Sequence, residues 1–214
     1  MNRKKFENHS LTPVILEPLS TATIHGHVRT LRAFFLWLVL EGLLERNPAK
    51  GLKPPKIEKK GVSTLSDQEM KNILDSFNPT LPSDARNQTI FMLMIDTGMR
   101  VKELVNLKFE DIQMDEGLIK VMGKGKRERI VPFGSKVQRS LQRYSFRYRL
   151  KPVHQDINNV FLSVTGSPVT ESSIKLVFAR LAKRTGVHRL HAHLCRHTFA
   201  TRFLINGGDV FSLQ

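Results

Sequence analysis

The chain has 214 residues, a formal net charge of +15 and a single cysteine, Cys195. This length suffices for one or two domains, and one cysteine cannot form an intrachain disulfide, so a small disulfide-held scaffold is excluded. No apolar run reaches the roughly 18 to 20 residues that span a bilayer, and the polar N-terminus does not resemble a signal peptide. We therefore expect a soluble, cytoplasmic protein in a reducing compartment, with no membrane partner.

The charge balance favours a polyanionic partner. Thirty-four Lys and Arg residues oppose nineteen Asp and Glu residues. A basic excess of this size strengthens binding to nucleic acid through the release of counterions. The alternative is a protein that is basic but has no polyanionic partner. Binding to a membrane surface is a weaker hypothesis, because no Lys-rich face combines with an exposed apolar stripe.

The first sixty residues predict one helix and a linker. Residues up to Ser20 show no clear period and are expected to form a loop, whereas apolar residues recur at helical spacing from Thr23 to Arg46. Arg29 and Arg32 lie off that apolar stripe and are candidates to contact the polyanion. The predicted organisation is a partial helical domain at 1–52, a basic linker at 53–63 and a second domain at 64–214. The stripe consists of Ile24, Val28, Leu31, Phe35 and Leu38.

Beyond the linker, the sequence predicts several helices and one β-hairpin. Ser66 and Glu69 have the spacing of a capping box, which starts a helix. A nearly continuous apolar segment closed by Gly98 predicts a helix at the centre of the core. The expected helices span about 66–77, 84–97, 135–150, 171–185 and 193–206, and the expected strands 118–122 and 129–133 surround a basic tip. The expected fold is mainly α with a small antiparallel β-sheet, an α+β arrangement.

Two short motifs carry candidate chemistry. In TGMRVKEL, Arg100 begins a new helix and Glu103 lies one turn later on the same face, which taken alone is a surface ion pair of small energetic weight. In HLCRHTFAT, His193 and Arg196 share a face near a helix N-terminus, where backbone amides favour an anion such as phosphate.

A metal site is disfavoured. The candidate ligands are His191, His193, Cys195 and His197, but only His193 and His197 share a helical face, and no acidic third ligand is near. We expect neither a metal nor another cofactor.

Three strings together resemble a known family. TGMRVKEL, the hairpin VMGKGKRERIVPF and HAHLCRHTFATRFL occur in the order and at the approximate separations seen in tyrosine recombinases, the phage integrases and chromosome-dimer resolvases. The segment FFLWLVLEGLLERNPAKGLKPPK also resembles the end of the helical core-binding domain and the linker of that family. The resemblance runs from about residue 20 to residue 214. It implies an integrase-type catalytic domain preceded by a partial core-binding domain.

The resemblance implies a role for each matching residue. Arg100 and Arg196 would hold the scissile phosphate, and guanidinium forks suit phosphate oxygens. Lys124 would protonate the leaving 5′-hydroxyl, and His193 would accept the proton of the attacking hydroxyl or bind the phosphate. Glu103 would orient the cluster. The remaining hairpin charges, Lys126, Arg127 and Arg129, are expected to contact the DNA backbone or to be solvated.

The chain departs from the family pattern at both ends. The family places its nucleophilic tyrosine beyond the residue that matches Arg196, and no tyrosine occurs there, so the polypeptide is expected to be inactive alone. Tyr144 and Tyr148 fall on one apolar stripe and are expected to be buried. At the N-terminus, one convincing helix replaces the bundle with which the family clamps DNA.

Three functions compete at this point. The first is a site-specific recombinase that acts on double-stranded DNA with other recombinase subunits, as a tetramer. The second is a DNA-binding remnant without catalysis that occupies recombination sites or pairs with a full-length recombinase. The third, an RNA-binding protein, needs exposed aromatic side chains, and periodicity predicts that Trp37 is buried.

Overall fold

The computed structural model describes residues 19–57, 61, 63–78, 80–123 and 128–210. The chain divides into two compact units, Met1–Gly61 and Val62–Gln214. This division falls within the predicted linker of residues 53–63. The loop predicted before Ser20 lies almost entirely outside the described residues.

The first unit contains one described helix, α1 (Thr21–Leu40), which begins where the Ser20 side chain accepts a hydrogen bond from the Thr23 amide at 3.1 Å. The helix is shorter than predicted, because Gly42 adopts a left-handed backbone conformation with φ of 72° just after its end. No residue of α1 is buried, and Trp37 is 50% exposed, so the prediction that Trp37 is buried was wrong. An apolar stripe is buried only against a second surface, and the residues described in this unit contain no other helix.

The second unit is mainly helical with one small sheet, which confirms the predicted fold class. The predicted capping box is present, since Ser66 and Glu69 each accept a hydrogen bond from the other's amide, at 3.2 and 2.9 Å. The helices are α2 (Asp67–Asp75), α3 (Pro82–Thr97), α4 (Val101–Val105), α5 (Ser135–Arg143), α6 (Glu171–Thr185) and α7 (Ala192–Ile205), with a 3₁₀ turn at Phe109–Asp111 and a π-helical turn at Tyr144–Tyr148.

The sheet is antiparallel, with the order β1 (Ile112–Gln113), β2 (Leu118–Met122) and β3 (Glu128–Pro132). The hairpin of β2 and β3 was predicted, with β3 displaced by one residue, whereas two-residue β1 is too short to leave a sequence pattern. Ile119 pairs with Val131, and both side chains are buried.

Helix α3 lies at the centre of the core, as its apolar sequence predicts. It packs against α5, α7 and the π-helical turn. Its largest fully buried residues are Ile90, Phe91, Leu93 and Met94. Helix α5 was predicted to reach residue 150, but it ends at Arg143 and continues as the π-helical turn. No described helix is long and apolar enough to cross a membrane.

Candidate active site

The turn between α3 and α4 positions Arg100. Gly98 ends α3 in a left-handed conformation with φ of 61°, and the Met99 side chain that follows is fully buried. Arg100 then precedes α4, and its backbone amide donates to Oε2 of Glu103 at 2.7 Å. Because Met99 anchors the turn in the core, the Arg100 side chain starts from a fixed backbone.

Glu103 is the centre of the site. Its side chain is only 4% exposed. Besides the Arg100 amide, it accepts from Nη1 of Arg100 at 3.0 Å and from Nη1 and Nη2 of Arg129 at 2.8 and 2.9 Å. Burial would raise the pKa of this carboxyl, but the hydrogen bonds from Arg129 and Arg100 outweigh burial, and the pKa is lowered. Glu103 is therefore an ionised, fully hydrogen-bonded carboxylate.

Arg129 reaches this carboxylate from β3. Its side chain is 26% exposed, and both terminal nitrogens bind Glu103. Sequence reasoning gave Arg129 a contact with the DNA backbone or a solvated position, and the contact with Glu103 was missed. The missed signal was the alternation of the strand, because Arg129 lies two residues before buried Val131 and shares its face of the sheet.

Arg196 joins the site from α7. Its Nη1 donates to the carbonyl oxygen of Gly98, just before Arg100. Burial and then the neighbouring charge of Arg100 lower the pKa of the Arg196 guanidinium, while Glu103 opposes this effect. We call Arg100, Glu103, Arg129 and Arg196 the Glu103 cluster. Three guanidiniums and one carboxylate leave it an excess of positive charge, which suits an anion.

A groove of about 440 Å³ opens beside the cluster. Arg100 and Glu103 line one part of it, and Lys120 and Gly123 of the hairpin line another. Arg100 and Glu103 are therefore open to a ligand on the side where the hairpin lies, whereas Arg129 and Arg196 line a second cavity of about 670 Å³.

The sequence comparisons identify the family. The sequence model of the phage integrase family matches residues 63–214. The tyrosine recombinase XerC of Bacillus pumilus is 36% identical over 209 residues, which cover 95% of this chain and 68% of XerC. The chain belongs to the phage integrase family. The XerC of Oceanobacillus iheyensis is 34% identical over 209 residues, with coverage of 95% and 68%.

Solved structures of integrases and recombinases have the same fold. The crystal structure of XerA recombinase matches with a TM-score of 0.63 and 28% identity, and covers 91% of this chain and 66% of XerA. The Tn1549 transposon integrase in complex with circular intermediate DNA gives a TM-score of 0.73 at 24% identity, with coverage of 92% and 70%. The family resemblance inferred from three motifs is thus confirmed.

His193 is the second residue of α7 in this integrase-family chain and is exposed. One helical turn separates it from Arg196, so the two side chains share a face, as predicted. His191 occupies the N-cap position without a side-chain capping hydrogen bond, and its Nδ1 lies 2.6 Å from the Arg189 carbonyl oxygen outside the helix. Among the described residues, no group of three His, Cys, Asp or Glu side chains could hold a metal ion. Burial raises the pKa of the Cys195 thiol.

Several predicted residues lie apart from the cluster. Lys124, Lys126 and Arg127 lie outside the described residues, so their roles stay predictions. Arg29 and Arg32 belong to the first unit, where they are exposed on α1 beside a shallow groove. Their predicted contact with DNA is also untested.

The two tyrosines lie elsewhere in the second unit. Tyr144 is 2% exposed, and its hydroxyl accepts a hydrogen bond from the Leu162 amide at 3.2 Å. Burial raises the pKa of Tyr144. Tyr148 is half-buried, with the Arg147 guanidinium 5.5 Å from its ring centre. The predicted burial is therefore complete for Tyr144 and partial for Tyr148.

Proposed function

We propose that this chain binds double-stranded DNA and that the Glu103 cluster holds the phosphodiester at which a site-specific recombinase breaks and rejoins strands. The observation that supports this function is that two guanidiniums, those of Arg100 and Arg129, bind one buried carboxylate, while that of Arg196 lies within their charge environment. The carboxylate holds Arg100 and Arg129 in place, and the positive charge of the three arginines favours a phosphate.

The exposure of the cluster fits this role. The Arg100 side chain is 45% exposed, whereas that of Glu103 is 4% exposed. A guanidinium has five N–H donors, and the described contacts of Arg100 with Glu103 use one of them. The other donors are therefore available to oxygens of a phosphate in the groove.

The proposed reaction uses the cluster as an electrostatic clamp. A tyrosine oxygen attacks the phosphorus atom, the bond from phosphorus to the 5′-oxygen breaks, and a 3′-phosphotyrosyl linkage forms. His193 accepts the phenol proton and Lys124 gives a proton to the 5′-oxygen. Arg100 and Arg196 stabilise the added charge of the pentacoordinate transition state, an effect on the order of a hundredfold in rate for each.

The nucleophile is proposed to come from outside residues 1–214. The hydroxyl of Tyr144 is buried against Leu162, and its raised pKa makes the phenolate harder to form. Tyr148 packs under two arginines of the π-helical region, Arg143 and Arg147. Neither environment suits attack on a phosphate held by Arg100 and Arg196.

Salt dependence of DNA binding tests the proposal. Fluorescence anisotropy with a labelled duplex of about 30 base pairs would be measured from about 50 to about 300 mM NaCl. We expect log K to fall with log salt at a slope of about −0.9 for each neutralised phosphate, and Arg100→Gln or Arg196→Gln to reduce the slope by about one. A slope near zero for the wild-type chain would exclude this function.

Arg143→Gln is the matched charge control for that experiment. Arg143 donates to Gln88 of α3, which is ten residues before Gly98 and so about 15 Å away along the helix axis. Its loss should leave the slope nearly unchanged. An equal change in all three variants would mean that net charge, and not the cluster, determines binding.

A second candidate function is a DNA-binding subunit without its own nucleophile. The packing of both tyrosines agrees with this candidate as well as with the first. In either case we propose that the chain acts with other recombinase subunits as a tetramer on DNA. Mass photometry on a synthetic four-way junction would count the subunits. A tyrosine-bearing recombinase subunit would then be added. Cleavage of the junction would show that this chain acts as a catalytic partner, and no cleavage would show that it binds without taking part in catalysis.

A further inference from the structure

We propose that Arg129 is a positioning residue, which fixes the Glu103 carboxylate and, through it, the side chain of Arg100. The proposal rests on the proposed function, because it names the residue that holds the side chains of the phosphate site in position.

The hydrogen bonds of Glu103 carry the inference. Arg129 places one terminal nitrogen on each carboxylate oxygen, at 2.8 and 2.9 Å. Arg100 uses the same two oxygens, with Nη1 on Oε1 at 3.0 Å and its amide on Oε2 at 2.7 Å. Each oxygen therefore accepts two hydrogen bonds, and a carboxylate oxygen has two lone pairs. The carboxylate cannot rotate without breaking the contact that orients Arg100.

Arg129 is itself held by the sheet. Its backbone pairs with Val121 in β2, and Val121 is 3% exposed. Helix α4, in contrast, has five residues, too few for its backbone hydrogen bonds alone to fix its position. The paired strand β3 thus fixes the Glu103 carboxylate, and the orientation of the Arg100 side chain depends on that carboxylate, while Met99 holds the Arg100 backbone in the core.

Arg129 differs from Arg100 in how much of its guanidinium is available to a ligand. Both of its terminal nitrogens are engaged with Glu103, and its side chain is 26% exposed, against 45% for Arg100. Because Glu103 occupies the two terminal nitrogens of Arg129, a direct contact of Arg129 with phosphate would act mainly through charge, which a lysine retains. A positioning residue needs the planar fork, which lysine lacks. Arg129→Lys therefore separates the two roles.

The first measurement needs no ligand. The full 214-residue chain would carry ¹³C-labelled glutamate carboxyls, and the Glu103 resonance would be followed against pH in the wild type, Arg129→Lys and Arg129→Gln. The groups that face Glu103 are Arg100, Arg129 and Arg196, and the other charged residues that line the groove are Lys102, Asp111 and Lys120. We expect the midpoint to move upward in both variants, because burial then acts with fewer opposing hydrogen bonds. An unchanged midpoint in Arg129→Lys would overturn the proposal.

The second measurement determines the affinity of the site for inorganic phosphate. Inorganic phosphate would be titrated at about pH 7 while the ¹⁵Nε resonance of Arg100 is observed. We expect Arg129→Lys to raise the apparent dissociation constant at least about threefold, nearly as much as Arg129→Gln. In a Glu103→Gln background, Arg129→Lys should have almost no further effect, because the carboxylate through which it acts is gone. Wild-type affinity in Arg129→Lys would mean that charge alone matters, and would reject the positioning role.

Two controls complete the design. Arg143→Gln, which removes a charge outside the cluster, should change neither the Glu103 midpoint nor the phosphate affinity by as much as about twofold. If Arg129→Lys fails to fold, the Glu103→Gln/Arg129→Gln double variant removes both charges together, and an Arg100 resonance as ordered as in wild type would overturn the proposal. If the wild-type chain binds neither phosphate nor DNA, the proposed function fails, while the Glu103 titration still decides the role of Arg129.

Discussion

Arg196 of α7 donates a hydrogen bond to the backbone carbonyl of Gly98, which lies 98 residues earlier in the chain. The carbonyl belongs to the turn that carries Arg100. Arg196 is therefore linked to Arg100 by a hydrogen bond to the backbone of the turn, in addition to the effect of each charge on the other. A change in that turn affects both of them.

Gly98→Ala should be strongly destabilising. A Cβ atom at Gly98 would lie 2.2 Å from Cδ1 of Phe199, and φ of 61° already disfavours alanine. The conformational cost alone is about 1 to 2 kcal/mol, and the clash adds to it, so we expect a loss of more than about 2 kcal/mol in the free energy of unfolding. Urea denaturation monitored by circular dichroism measures this loss.

Gly186→Ala is the matched control. Gly186 has φ of 73°, but a Cβ atom at this position would have no neighbouring atom within 4 Å. The variant should lose only the conformational cost of about 1 to 2 kcal/mol. Equal losses at both glycines would show that Phe199 moves aside without penalty.

Thr198→Val tests a buried contact near the site. Thr198 is fully buried, and its hydroxyl accepts from the Leu65 amide at 2.9 Å while donating to the Leu194 carbonyl. Valine keeps the shape but leaves the Leu65 amide unpaired, at a cost of about 1 to 3 kcal/mol. Thr185→Val is the control, because the Thr185 hydroxyl donates to the Leu181 carbonyl of its own helix. Loss of that donor should cost under about 1 kcal/mol by urea denaturation.

Glu69 should make stability depend on acidic pH. The hydrogen bond from Arg189, followed by that from the Ser66 amide, lowers the pKa of Glu69 from 4.5 to about 2. The folded pKa lies below the unfolded one, so the contribution is complete above pH 4.5 and is lost as pH falls toward about 2.

Urea denaturation at about pH 7, 4 and 2.5 would test this dependence. Glu69→Gln should be less stable than wild type at neutral pH, and the difference should shrink as the pH falls. Glu116→Gln, in the exposed turn before β2, is the control carboxylate. If the difference in the free energy of unfolding between wild type and Glu69→Gln stayed constant down to the most acidic condition, the role assigned to Arg189 would be contradicted.

Tyr144→Phe should separate stability from function. The change removes the hydroxyl that accepts from Leu162, at a cost of about 1 to 3 kcal/mol. If Tyr144 is only structural, the affinity for a DNA duplex and its salt slope stay at wild-type values under conditions where the variant is folded. Tyr148→Phe should alter neither property. In an assembly that cleaves DNA, loss of cleavage in Tyr144→Phe would make Tyr144 the nucleophile after all.

Local patterns predicted much of the second unit. The capping residues Ser66 and Glu69, the apolar run of α3 and the alternation in β2 and β3 each depend on neighbours in sequence. Arg100 and Arg196 were found by resemblance, because no local rule brings α4 and α7 together. The hydrogen bonds between Arg129 and Glu103 depend on tertiary packing between β3 and α4. The alternation of β3 indicated which face Arg129 lies on but not its partner.

The first unit was predicted less well. The helical stripe of α1 was correct in type, but Gly42 ended the helix earlier than the apolar pattern suggested. Burial of Trp37 was inferred from periodicity, which shows which face is apolar but not whether another surface covers it.

The amide of Leu65 is bonded to Thr198, two residues beyond Arg196 in α7. Ser63 and Thr64, just before it, are bonded to Arg189. Residues 63–65 are therefore tied by hydrogen bonds to α7 and to the segment just before it, so the stretch that carries Arg196 also determines where the second unit begins.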